Sequence, residues 1–189
     1  MPVWMSVTVL VALAILGLWA MWHGWQGRAR RSAALVPSLP DVPAEPGEAR
    51  TVPVEATYVS STRAGDWLDR VAAHDLGVRS PVTVTVHDGG VLLARTGARD
   101  VWVPAAALTA VGTSSGQAGK FVGRDGLVVL TWVPDATTTT PLDTALLVRH
   151  DAERDTLLDA ACALVAPPAA QAAATDTDAA SPAAREEQA

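Results

Sequence analysis

The sequence predicts a mainly β protein: an N-terminal transmembrane helix followed by an antiparallel β-barrel or sandwich with a C-terminal α-helix. Three observations carry that expectation. Residues 3–22 (VWMSVTVLVALAILGLWAMW) contain no charged side chain, and roughly twenty helical residues at about 1.5 Å each cross a hydrocarbon core of about 30 Å. Between residues 53 and 148, short apolar runs alternate with stretches rich in turn residues, as closely spaced antiparallel strands do. Residues 151–165 (DAERDTLLDAACALV) then return to a helical period.

Residues 1–27 form the anchor with its interfacial end. Trp4 stands at one end and Trp22 and Trp25 at the other, at the headgroup level that suits indole rings, and Arg28, Arg30 and Arg31 lie on the C-terminal side only. By the positive-inside rule the N-terminus is outside and the following domain cytoplasmic, in a single pass through the cell membrane. A cleaved signal peptide would have a basic n-region and small residues before the cut, whereas Trp19, Met21, Trp22 and Trp25 are bulky. An uncleaved anchor held in the lipid bilayer is therefore expected.

Residues 28–52 read as a basic flank and a proline-rich linker, with Pro37, Pro40, Pro43 and Pro46 at every third position. Proline lacks an N–H and favours extended chain, which predicts a spacer holding the domain off the bilayer. The same period presents a polyproline face to a partner, a less common use.

The domain is expected over residues 53–166. Residues 53–60 alternate modestly, and Val82, Val84 and Val86 alternate with Thr83, Thr85 and His87 in a clean two-residue period. The sequence His87-Asp88-Gly89-Gly90 predicts a hairpin turn into a strand at 91–94. Further strands are expected at 101–103, 107–111, 121–122, 127–133 and 142–148, separated by turn-rich stretches. Residues 66–76 (DWLDRVAAHDL) fit either a short helix or an irregular strand. For the helix at 151–165, Asp151 suits the cap, and Leu157, Leu158, Ala161, Leu164 and Val165 make an apolar side. Residues 167–189 contain no aromatic or large aliphatic residue, which predicts a disordered tail.

The formal net charge is −6 with scattered basic residues, a balance without a nucleic-acid footprint. A single cysteine, Cys162, excludes an intramolecular disulfide and a Cys-based zinc site, and no disulfide-linked partner is expected. On the apolar side of its helix, Cys162 reads as a small core residue. His23, His74, His87 and His150 share no ligand spacing, so no metal is expected, and no cofactor either.

Two motifs need weighing. Gly112-Thr113-Ser114-Ser115-Gly116 matches G-x-S-x-G, and Asp125, Asp135 or Asp143 followed by His150 gives the chain order Ser, Asp, His. That elbow works at a strand-to-helix turn, whereas here three glycines follow and lead to another strand, so a solvated loop is the better expectation. Ala118-Gly119-Lys120 lacks the earlier glycine and following hydroxyl of a phosphate loop, and Phe121 reads as a core anchor. Trp67, Trp102 and Trp132 are core residues by default, and an exposed indole among them would mark a partner surface.

The N-terminal span together with residues 58–66 (YVSSTRAGD), 101–105 (VWVPA), 118–121 (AGKF) and 126–132 (GLVVLTW) resembles a family of actinobacterial membrane-anchored proteins with a PH-like domain. Members are often encoded beside pyrimidine-biosynthesis genes. The resemblance implies a partly open barrel of two packed antiparallel sheets closed by a C-terminal helix, and supplies no catalytic residues. In residues 61–80, Arg63, Arg70 and Arg79 are balanced by Asp66, Asp69 and Asp75, which argues against capture of an anionic headgroup. The expected role is a membrane-held, non-enzymatic scaffold binding a protein partner. The alternatives are a small serine hydrolase using Ser114 and His150, and a sensor of anionic lipid headgroups.

Overall fold

The computed structural model describes residues 3–123, 126–135 and 140–165, so the tail expected at 167–189 lies outside the described residues. The N-terminal helix, α1 (Val3–Leu35), has 33 residues and runs on through Arg28, Arg30 and Arg31. No proline interrupts His23 to Leu35, and the alanines and arginines there favour a helix. It stops where Val36 precedes Pro37, because the proline ring clashes with a helical residue before it.

Residues 36–52 depart from the expected spacer: they pack onto the domain as a strap. Val36 is fully buried and Leu39 is 8% exposed, both within the main core. The Arg50 N–H donates to Val86 O at 2.8 Å, the Asp88 N–H to Glu48 O and the Gly89 N–H to Pro46 O, each at 3.0 Å. Arg50 Nε also meets Asp88 Oδ1 at 2.7 Å and holds that carboxyl below the usual carboxylate range. The spacing explains the difference. A three-residue period that places prolines on one stripe places Val36, Leu39 and Val42 on another, and the first two of these meet the core. Leu39→Ala is expected to lower stability by about 2–3 kcal/mol, and Val42→Ala, at an exposed position, by less than about 0.5 kcal/mol. Chemical denaturation of the whole chain in detergent measures both, and equal effects would mean that the strap is not docked.

The strands are β1 (Val54–Arg63), β2 (Asp66–Arg70), β3 (Ser80–His87), β4 (Gly90–Arg95), β5 (Val101–Pro104), β6 (Leu108–Ser114), β7 (Gly116–Gln117), β8 (Lys120–Phe121), β9 (Leu127–Trp132) and β10 (Leu142–Val148). The main sheet is antiparallel in the order β5-β4-β3-β1-β10-β9-β6, with β2 added to β1. β7 and β8 form a separate small hairpin. The two ends of the main sheet, β5 and β6, are joined by a short 3-10 turn, Ala105–Ala107, so the sheet must curl back on itself into a half-barrel. Strand twist supplies the curl, sharpened by register shifts at Tyr58/Ser60 and Leu108/Ala110.

Alternation decides which side is core. Val82, Val84 and Val86 of β3, Val91 and Leu93 of β4, Val128, Leu130 and Trp132 of β9, and Leu142 and Leu146 of β10 all point inward. Between β3 and β4, Gly90 has φ 153°, and a Cβ there would run into Val103 O, so only glycine fits. The second helix, α2 (Asp151–Cys162), covers the core with Leu157 and Ala161. Its N-cap is His150 rather than Asp151, whose carboxylate instead meets Arg154 at 2.8 Å within the first turn.

For residues 66–76 the strand alternative holds. β2 is followed by a 3-10 turn at Ala73–Asp75, with His74 and Asp75 at φ 52° and 59°. Val71 and Leu76 are buried while Trp67 and Leu68 face solvent, a pattern set by the packing of β2 rather than by helical spacing.

Candidate functional site

Three regions bear on function: the apolar helix α1, its junction with the domain, and a groove on the outer sheet face. On α1, the described large apolar side chains from Trp4 to Trp22 are 52–75% exposed, and the apolar window Val7–Gly24 is 0% buried. It is the one helix among the described residues that is long and apolar enough to cross a membrane. Trp4 and Trp22 are eighteen residues apart, or about 27 Å of helix, close to one hydrocarbon thickness. Trp25, Arg28, Arg30 and Arg31 follow on the same helix, and their side chains lie outside the described structure.

The chain leaving α1 enters the domain at Val36, whose carbonyl contacts His74 Nε2 at 2.9 Å. The turn carrying His74 is held from beneath by Arg95, which is 6% exposed. Arg95 Nη2 donates to Val78 O at 2.6 Å and Asp75 O at 3.0 Å, and its Nε donates to Ser80 Oγ at 2.9 Å. Its guanidinium lies 3.9 Å from the Tyr58 ring centroid, a cation–π contact in place of a carboxylate partner. Burial pulls the Arg95 pKa below its ordinary value.

Tyr58 belongs to a buried hydrogen-bond chain with one consistent direction. Trp132 Nε1 has a proton to give and Leu76 O has none, so the hydroxyls between them must all point the same way. Trp132 donates to Thr144 at 2.9 Å, Thr144 to Ser61 at 2.6 Å, Ser61 to Tyr58 at 2.8 Å, and Tyr58 to Leu76 O at 3.0 Å. This chain ties β9, β10 and β1 to the turn that meets Val36. Ser60, on the same strand, keeps a buried hydroxyl without a hydrogen-bond partner.

The outer-face groove has a volume of about 310 Å³ and is lined in part by Thr62, Trp67, Gly112, Ser114, Gln117 and Asp143. The β7–β8 hairpin forms one wall, joined to β2 because the Ala118 N–H donates to Trp67 O at 2.8 Å and Arg70 Nη2 to Ala118 O at 2.9 Å. Gln117, 3% exposed, points its Nε2 at Asp143 O (2.6 Å), Thr62 Oγ1 (3.0 Å) and Ser60 O (3.4 Å). The Asp143 carboxylate accepts from Thr131 Oγ1 at 2.7 Å and from the Gly65 N–H at 3.3 Å.

The suspected nucleophile does not find a base. The Ser114 hydroxyl donates to Gly116 O at 2.9 Å and accepts from the Gly116 N–H at 3.2 Å, closing a local turn. Ser114 ends β6 and His150 follows β10, and these strands flank β9 on opposite sides, about two strand spacings or roughly 10 Å apart. Asp125 lies outside the described residues. Among the described residues no cluster of histidine, cysteine and carboxylates forms a metal site.

Two expected core residues are at the surface. Phe121 is 78% exposed on β8, and Cys162 is exposed at the end of α2. In the β7–β8 hairpin Phe121 pairs with Gly116, on the face opposite the buried Gln117, so it points away from the sheet, while Val122 packs against a small second cluster around Val59, Leu127 and Ala145. Trp102 and Trp132 are buried as expected, and Trp67, 55% exposed, is the surface indole of the three. Gln117 was not foreseeable as a buried group, for a glutamine between Gly116 and Gly119 looks like any solvated loop residue.

Comparison with known proteins adds one match: a family described as Bacterial PH domain-like matches residues 36–162, from the first buried residue of the strap to the last residue of α2. No curated protein matches the chain.

Proposed function

The chain belongs to the bacterial PH domain-like family, and on that premise we propose that it is a single-pass membrane protein whose domain binds a protein partner at the cytoplasmic face of the cell membrane. The observation carrying this reading is the apolar window Val7–Gly24, which no protein surface among the described residues covers. Lipid would remove that surface from water, and the tryptophans and one-sided arginines suit the two interfaces. From Gly24 to Leu35 the helix extends a further eleven residues, or about 16 Å. Since Val36 is already core, this helical extension, and not a proline spacer, sets the distance between bilayer and domain.

A partner-binding role suits the domain better than the other readings. PH-like domains are generally non-catalytic, and Ser114 is engaged by its own turn. Around β2 the charges are mixed, with Arg63 meeting Asp69 at 3.2 Å, which disfavours a phosphoinositide-type headgroup. In membranes from the native host, the chain is expected to resist alkaline carbonate extraction, and protease added to intact cells should leave the domain undigested. Release by carbonate would remove the span, digestion from outside would reverse the orientation, and failure to crosslink any protein in those membranes would remove the partner role.

A further inference from the structure

We propose that the groove between β6 and the β7–β8 hairpin binds a basic side chain, the guanidinium or ammonium group of an extended segment of the partner protein. The proposal rests on the partner-binding reading above and names the chemistry of that contact.

Three groups on the groove, Asp143, Gln117 and Trp67, suit a cation. Asp143 presents a carboxylate whose two oxygens each accept one hydrogen bond, and among the described side chains no basic group lies within ion-pair distance of it. All three contacts of Gln117 are made by its Nε2, which leaves Oε1 as an acceptor for a ligand. Trp67, half exposed on the same groove, offers an aromatic face on which a cation stacks. A carboxylate, an amide oxygen and an indole face together complement a cation and repel an anion. The volume of about 310 Å³ admits one long side chain with its adjoining backbone, at the small end of the usual range for ligand sites, about 300–1,000 Å³.

The approach favours an extended chain. β6 is one open end of the main sheet, seven residues long, with no charge and no proline. The opposite end, β5, is four residues long and finishes at Pro104. Edges are normally blunted by charge, proline or shortness, and β6 has none of these. Its residues Ala110, Gly112 and Ser114, on the groove side, are small, and a Cβ added at Gly112 would meet nothing within 4 Å. A segment laid along the groove side of β6 meets these small residues, which leave room for its side chains.

The whole chain in lipid nanodiscs is titrated into two fluorescent, end-blocked hexapeptides, Thr-Val-Arg-Val-Thr-Val and its glutamate counterpart Thr-Val-Glu-Val-Thr-Val, with anisotropy as the readout. The arginine peptide is expected to bind at least about ten-fold more tightly, and less so as salt rises. Asp143→Asn, which keeps an acceptor for Thr131, is expected to weaken it about five-fold. Gly112→Val, which fills the groove where space is open, is expected to weaken it by a similar factor with the melting temperature unchanged. Equal affinity for the two peptides, indifference to both variants, or no binding of the arginine peptide would overturn the proposal. Any of these would leave membrane insertion and partner crosslinking to stand or fall on their own measurements.

Discussion

Trp132→Ala is expected to be among the most damaging single substitutions in the domain. The indole is fully buried at the end of β9, between β6 and β10, and it heads the hydrogen-bond chain that ends at Leu76. Truncation removes a large apolar group from a packed core, a loss of about 3–5 kcal/mol. That is a large share of the 5–15 kcal/mol that holds a typical domain together. It also leaves Thr144 Oγ1 without its donor. Trp132→Phe separates the two effects, because it retains most of the volume and loses the N–H; the expected cost is about 1–2 kcal/mol. Chemical denaturation of the full chain should rank wild type above phenylalanine and phenylalanine above alanine. If the alanine variant fell within about 1 kcal/mol of wild type, Trp132 would not be a packing centre.

Alkaline titration should give the second large effect. Tyr58 is the single tyrosine of the chain, fully buried, and burial pushes its pKa from 10.0 up to about 12, against the opposing pull of the Ser61 hydrogen bond and the nearby Arg95 charge. A folded-state pKa above the unfolded one means that the neutral phenol stabilises the fold. That contribution is complete below pH 10 and disappears as the pH climbs towards 12. At about 1.4 kcal/mol per pKa unit, roughly 3 kcal/mol is at stake. Tyrosinate absorbance should therefore stay low past the normal tyrosine range and then rise near pH 12 or together with unfolding. Arg95→Met should move that rise still higher, because the cation that favours the phenolate is gone. The same variant should lower stability at neutral pH by about 2–3 kcal/mol, since Asp75 O and Val78 O lose their donor. Ionisation near the ordinary tyrosine value in a folded chain would contradict the buried chain of hydroxyls.

Much of the fold was legible in the sequence, and the reason is periodicity. The valines at 82, 84 and 86 announced β3 because a half-buried strand must alternate, and the run of apolar residues from Val7 announced α1, a helix long and apolar enough to cross a membrane. β9, β10 and α2 were legible in the same way. β2 was ambiguous because its outward face carries Trp67 and Leu68, residues whose spacing imitates an apolar helix side when their partners are unknown. The candidate groove was largely illegible. Trp67 stands out in the sequence only as one of three indoles and Ser114 only through a G-x-S-x-G match whose hydroxyl closes its own turn, while Gln117 and Asp143 meet across 26 residues of chain that no local pattern connects.

The sequence by itself therefore determined the local order of the molecule: an apolar helix, a succession of short strands and a closing helix. Each is a repeating preference of neighbouring residues. Tertiary structure alone decided what each surface meets. It turned the proline segment from a spacer into a strap by finding a site for Val36 and Leu39, left Phe121 outside by turning Gln117, on the other face of the hairpin, to the sheet, and enclosed Arg95 under a ring of carbonyls. Burial is a property of distant pairs brought together by the curl of the sheet, and a chain read residue by residue carries the periods of its elements but not the partners of their faces.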